Sequence, residues 1–139
     1  MSLGFKGVRG FMKHLLLIFS VFLIFGCSTN NNPSNRKVEE LIVYMDTNKM
    51  PEPGDTKVVQ MASLLDYLVE NTTSSRKEIG DITTATVDLI KKKYNKTYTH
   101  QQILEGGKRL IDSVPPEKRG KKENFQTYAF TISLEASAK

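Results

Sequence analysis

The sequence predicts a small α+β domain of order β-α-α-α-β, with its first and last elements paired as antiparallel strands and three helices covering one face. Three observations carry this expectation. Tyr128, Phe130, Ile132 and Leu134 alternate with Ala129, Thr131, Ser133 and Glu135, which is the period of a half-buried strand. Near the other end, Leu41-Ile42-Val43-Tyr44-Met45 is a continuous strand-compatible run. Between them lie three segments with apolar residues spaced by three and four, each behind a helix-capping residue.

Taken in order, Val38 to Asp46 fits two patterns, because Val38, Leu41, Ile42 and Met45 also make a helical stripe. A single C-terminal strand cannot satisfy its own backbone hydrogen bonds, and this segment is the only partner in the chain, so it is assigned as the first strand. Pro51, Pro53 and Gly54 then break the chain. The first helix follows, capped by Asp55 or Thr56, with Val58, Met61, Ala62, Leu65, Leu68 and Val69 on one face and Asn71 at its end. Ser75 and Glu78 form a capping box for a second helix with the stripe Ile79, Ile82, Thr86, Leu89 and Ile90. Its β-branched run Ile82 to Val87 lowers helix propensity, whereas Lys91, Lys92 and Lys93 complement the carbonyl end of its dipole. Thr99 and Gln102 box a third helix, onto which Tyr98 can staple through Ile103; its stripe is Ile103, Gly107, Leu110, Ile111 and Val114, and Pro115-Pro116 ends it. Gly106-Gly107 costs about 1 kcal/mol per residue relative to Ala, which the close approach of a neighbouring element would explain.

The most specific pattern precedes all of this. Leu15 to Phe25 is an eleven-residue apolar run interrupted only by Ser20, with Lys13 directly before it and Gly26-Cys27 after it. Eleven residues are about half of what a membrane span needs, but they match the apolar region of a secretory leader. Cys27 is the only cysteine. Ile24-Phe25-Gly26-Cys27 resembles the lipobox of bacterial lipoproteins, with Ile24 where Leu is commoner and Phe25 where Ala or Ser is usual. The resemblance covers residues 1–27. It implies that the Cys27 sulfur takes a diacylglycerol, that the leader is cut between Gly26 and Cys27, and that the new amino terminus is acylated by a fatty acid such as palmitate. Met12-Lys13-His14 is itself a complete leader start, so Met1 to Phe11 reads as an upstream extension.

Residues 1–26 are thus expected to be a signal peptide, 27–36 a lipidated cysteine and flexible tether, and 37–139 one domain. The tether Ser28 to Asn35 has no apolar residue and reaches about 15 Å by random-coil scaling. If the host is Gram-negative, Ser28 rather than Asp after the lipidated cysteine implies the periplasmic face of the outer membrane; if Gram-positive, the cell membrane. The chain beyond the leader carries 17 basic and 15 acidic side chains, a balance that implies no nucleic-acid or other obligatory polyanion partner.

Motifs for chemistry are sparse. His100 reads as a surface residue at a helix start, without neighbouring ligands at metal-binding spacing. Glu39, Glu40, Asp81 and Asp88 lie among Lys and Arg as on solvated faces, and Gly106-Gly107-Lys108 lacks the spacing of a phosphate loop. Lys91 to Lys96 and Lys118 to Lys122 could meet anionic lipid head groups but fit a solvated helix end and loop. No catalytic residue, cofactor or metal is assigned. The expectation is a non-enzymatic, lipid-anchored binding or structural module of the cell envelope, partnered by membrane lipid through Cys27 and by an envelope protein. The alternatives are an envelope hydrolase of glycans or peptides using carboxylates, and an immunity or inhibitor protein against an exported toxin or hydrolase. The C-terminal strand, at Tyr128, Thr131 and Ser133, is the candidate interaction edge, because an unpaired strand edge is a template for another strand.

Overall fold

Four side chains start four helices. Asp55 accepts a hydrogen bond from the Lys57 amide (2.8 Å), Ser75 and Thr99 form reciprocal capping boxes with Glu78 and Gln102, and Asn124 accepts from the Gln126 amide (2.8 Å). In a computed structural model that describes residues 37–139, these caps open α2 (Thr56–Asn71), α3 (Arg76–Tyr94), α4 (His100–Asp112) and α5 (Phe125–Ala138). A shorter helix, α1 (Val38–Thr47), precedes them, and Pro116–Lys118 forms one 3-10 turn. Asn95 ends α3 in the left-handed region at φ 54°, and its amide donates back to the Lys91 carbonyl (3.0 Å). None of the described helices is long and apolar enough to cross a membrane.

The domain is therefore all-helical, not α+β: no strand occurs among the described residues, and both expected strands are helices. The alternation at Tyr128–Leu134 misleads because α5 meets its neighbours mainly through small residues. It buries Phe125, Ala129, Ile132, Ser133 and Ala136, which follow helical spacing, and leaves Phe130 and Leu134 outside. Once that segment is a helix its amides and carbonyls bond within it, and the argument that forced Val38–Asp46 into a strand disappears. In α1, Ile42 and Val43 enter the core while Tyr44 and Met45 face solvent, so the apolar run is split between two faces.

The core is continuous through all five helices, with Ile42, Met61, Leu65, Leu68, Ile79, Ile90, Ile103, Leu104 and Phe125 all fully buried. The most extensive helix pair is α3 with α5. At their starts the Thr73 amide donates to the Glu123 carbonyl (3.0 Å) and the Phe125 amide to the buried Ser74 hydroxyl (2.9 Å). At their ends Lys96 Nζ donates to the Ala136 carbonyl (2.5 Å). The two helices thus run parallel, joined by the stretch that contains α4. The β-branched run of α3 is tolerated because Thr83 and Thr86 turn inward and donate to the carbonyls of Ile79 (2.6 Å) and Ile82 (2.7 Å), which satisfies hydroxyls that would otherwise be buried unpaired. Leu89, placed on the core stripe by the sequence, is exposed, as is Val114 beyond the end of α4.

The two glycines of α4 have the neighbour they require. A Cβ at Gly107 would lie 2.6 Å from Cε2 of Phe125, and one at Gly106 3.0 Å from Cδ1 of Ile132. The Phe125 ring is fully buried and cannot swing aside, whereas the Ile132 methyl can yield. We expect Gly107→Ala to destabilise the domain by about 1–2 kcal/mol in urea titration, because overpacking of about 1–3 kcal/mol outweighs the helix-propensity gain of about 1. Gly120→Ala, with nothing within 4 Å of the new methyl, should leave stability unchanged. A stabilised Gly107→Ala variant would contradict this packing.

Candidate functional site

Of the residues singled out in the sequence, Gly26 and Cys27 lie outside the described residues. Tyr128, Thr131 and Ser133 do not share an edge, because successive residues of a helix turn by about 100°. Tyr128 packs against the core, Thr131 is half-buried and donates to the Thr127 carbonyl (3.2 Å), and Ser133 is buried and donates to the Phe130 carbonyl (2.7 Å). An open strand edge is therefore not how this segment could meet a partner.

The same segment presents a different surface. Phe130 is 60% and Leu134 49% exposed, one turn apart on the side of α5 away from the core. Gln126, Thr127, Ser137 and Ala138 complete the exposed positions of this helix, and none of the six is charged. The one charged side chain of α5, Glu135, is half-buried and engaged by Arg109 Nη2 of α4 (2.6 Å). By contrast, α2, α3 and α4 each expose both acidic and basic residues, among them Lys57 and Glu70, Lys77 and Asp88, Glu105 and Arg109. Exposed apolar residues scattered singly are ordinary, whereas Phe130 and Leu134 lie side by side. Phe130 could have been singled out only by first recognising the segment as a helix.

Elsewhere on the surface several charged groups pair with one another. An open depression of about 500 Å³ on α4 is lined by Glu105, Lys108, Arg109, Asp112 and Ser113. There Lys108 donates to Asp112 (2.5 Å) while its Nζ lies 4.6 Å from the centre of the Tyr67 ring, and the Tyr67 hydroxyl donates to Asp112. The hydrogen bond from Lys108, followed by that from Tyr67, holds the Asp112 carboxyl below its ordinary range. Lys108 therefore belongs to a surface ion pair rather than to a phosphate loop. Glu39 is not solvated as the sequence suggests: it is buried, and Arg76 Nε donates to it (3.1 Å) while also bonding Asp66, so one guanidinium ties α1, α2 and α3 together. Among the described residues no group of three or more His, Cys, Asp or Glu is placed to hold a metal ion.

His100 is the clearest departure from expectation. It starts a helix as predicted, yet it is 6% exposed rather than on the surface. Asp46, in the last turn of α1, reaches the start of α4 and accepts three hydrogen bonds, from the His100 amide (2.8 Å), the Gln101 amide (3.0 Å) and His100 Nδ1 (2.7 Å). Two of the amides that a helix start leaves unpaired are thus satisfied from another helix. His100 Nε2 is buried and meets no hydrogen-bond partner among the described residues. No local motif announces the contact, since 54 residues separate the pair.

Comparison of the chain with protein-family models, with curated proteins and with solved structures finds no match in any of the three.

The Asp46 contact has a pH consequence. Burial pushes the carboxyl up, but the hydrogen bonds from the His100 side chain and from the two backbone amides, with the attraction of the imidazole, together hold it below the ordinary value of 3.8. A carboxyl whose pKa is lower folded than unfolded adds stability above the unfolded value, and loses it as pH falls through the folded one. We expect Asp46→Ala to cost about 1–3 kcal/mol at pH 7. The gap to the unsubstituted protein should shrink below about pH 4, as read from urea midpoints between pH 7 and pH 2. A gap that stays constant into acid would show that the carboxylate charge is not what caps α4.

Proposed function

We propose that this chain is a lipid-anchored module of the cell envelope that works by presenting a protein-binding surface, the outward face of α5. The observation that carries the anchoring is the order Lys13, apolar run, Gly26 and sole cysteine Cys27, which is the order that export and lipid attachment need. Only ten residues, Ser28 to Lys37, separate Cys27 from the first residue of α1, and Ser28 to Asn35 contain no apolar side chain. The domain then stands close to the bilayer on a polar tether. Support for a binding role comes from Phe130 and Leu134, exposed together on a face without charge. Lipid through Cys27 and an envelope protein at α5 are the partners in this reading.

Acyl labelling tests it. Cys27→Ser should abolish incorporation of labelled fatty acid, leave the uncleaved precursor, and shift no other band, because the chain has no second thiol. Acyl label that persists on the variant would end the lipid-anchor reading, and so would an unsubstituted chain that takes up none.

A further inference from the structure

We propose that the basic loop between α4 and α5 docks on the phosphate groups of an anionic bilayer and so sets the domain upright on the membrane that anchors it. This rests on the lipid-anchor reading and adds the surface that faces the lipid. The occupant follows from connectivity, because the end of the bundle that carries the loop is also the end at which the chain from Cys27 enters α1.

Hydrogen bonds and packing establish that placement. Glu39, the second residue of α1, accepts from Arg76, the first residue of α3 (3.1 Å), and a Cβ on Gly80 would lie 2.7 Å from Cγ1 of Val38, so α1 starts beside the start of α3. The Thr73 amide donates to the Glu123 carbonyl (3.0 Å), which pins one side of the loop to the link that leads into α3. Arg119 Nε donates to the Val114 carbonyl (2.8 Å) and its Nη2 lies 3.7 Å from the Asp112 carboxylate, which pins the other side to the end of α4. Ten residues, Ser28 to Lys37, join Cys27 to this end and reach about 17 Å by random-coil scaling.

Between those pins Lys118, Lys121 and Lys122 are exposed and form no ion pair among the described residues. Residues 117–123 carry four basic and two acidic side chains, a net of +2. On the adjoining helix turns Asp66, Asp81 and Asp112 are taken by Arg76, Lys77 and Lys108, whereas Glu40 and Glu70 are not. The attraction is therefore set by the loop itself, which is exposed throughout except at Arg119. A lysine at an anionic surface contributes about a fivefold preference, and does so only within a Debye length of about 8 Å. The second basic run, Lys91 to Lys93, lies in the last turn of the 19-residue α3 and is thus about 25 Å from the tether end, out of that range. Composition does not separate the two runs, and the fold does. Because α5 begins at the docked end, Phe130 and Leu134 stand only about 8 and 14 Å beyond its first residue, which presents their face close to the lipid.

The test uses the full acylated chain in vesicles of phosphatidylcholine, alone or mixed with phosphatidylglycerol. A nitroxide is attached at Gly120→Cys, where a new Cβ meets nothing within 4 Å, or at Thr97→Cys, exposed in the connection at the opposite end. A nickel-chelating lipid relaxes whichever label approaches the head groups. On anionic vesicles the label at residue 120 should be relaxed and that at residue 97 should not, and the contact should vanish in about 1 M salt, where the Debye length falls to about 3 Å. Lys118→Gln, Lys121→Gln and Lys122→Gln together should lower the ratio of docked to undocked label about 100-fold, fivefold per lysine, and leave the helical circular-dichroism spectrum intact. Lys91→Gln, Lys92→Gln and Lys93→Gln together should leave that ratio unchanged. A chain that floats with both kinds of vesicle while residues 120 and 97 are relaxed alike would overturn the docking and leave the anchor standing. So would equal contact on neutral vesicles, or contact indifferent to the loop substitutions. A chain that floats with neither, for want of an acyl group, would overturn the anchor reading and the docking with it.

Discussion

The fold turns on one contact, the Phe125 ring against the backbone of Gly107. The ring is fully buried, and a methyl group at residue 107 would come within 2.6 Å of it. Burying such a side chain contributes about 2–3 kcal/mol, and here the same residue is also fixed through its backbone. Its amide donates to Ser74, whose own amide donates to Thr72 Oγ1 (3.3 Å), so the short link between α2 and α3 holds the start of α5. Loop, ring and glycine thereby join α2, α3, α4 and α5 at a single point. What α5 buries after Phe125 is mostly small, and that follows from the anchor: a helix already held close to its neighbours at one end must show them Ala129, Ser133 and Ala136 along its length.

Local signals were legible where a side chain caps its own helix. Ser75 with Glu78 and Thr99 with Gln102 follow from spacing alone and hold in the structure, as does the need of Gly106 and Gly107 for a close neighbour; of the two caps offered for α2, Asp55 or Thr56, it is Asp55 that caps. The C-terminal segment has the pattern of a strand because its large residues alternate while most of the residues it buries are small, so hydrophobicity points at Phe130 and Leu134, which lie outside. Asn124, directly before the segment, is the cap that marks it as a helix. A lone strand demands a partner, and that demand alone makes a strand of the α1 segment. Asp46 with His100 and Glu39 with Arg76 were beyond reach for another reason: each pairs residues far apart in the chain, and their burial is a property of the assembled helices.

The proposed role follows from how these constraints leave α5. Its inward positions are fully used by close packing, its one charge is turned to Arg109, and its outward positions hold two large apolar side chains with nothing to solvate them but small polar neighbours. Arg76 and Asp46 meanwhile fasten α1 to the rest, so the first helix of the domain is held by charge-assisted hydrogen bonds as well as by packing. The proposal of an anchored binding module joins the Cys27 pattern of the sequence to this uncharged helix face.

The most direct measurement is the set of backbone chemical shifts and amide exchange rates for residues 125–138. The account predicts helical Cα shifts throughout, with the amides of Ala129, Ile132, Ser133 and Ala136 exchanging only as slowly as the core of α3 opens. Extended shifts in this segment, or amide protection alternating residue by residue, would contradict it and restore a strand at the C-terminus.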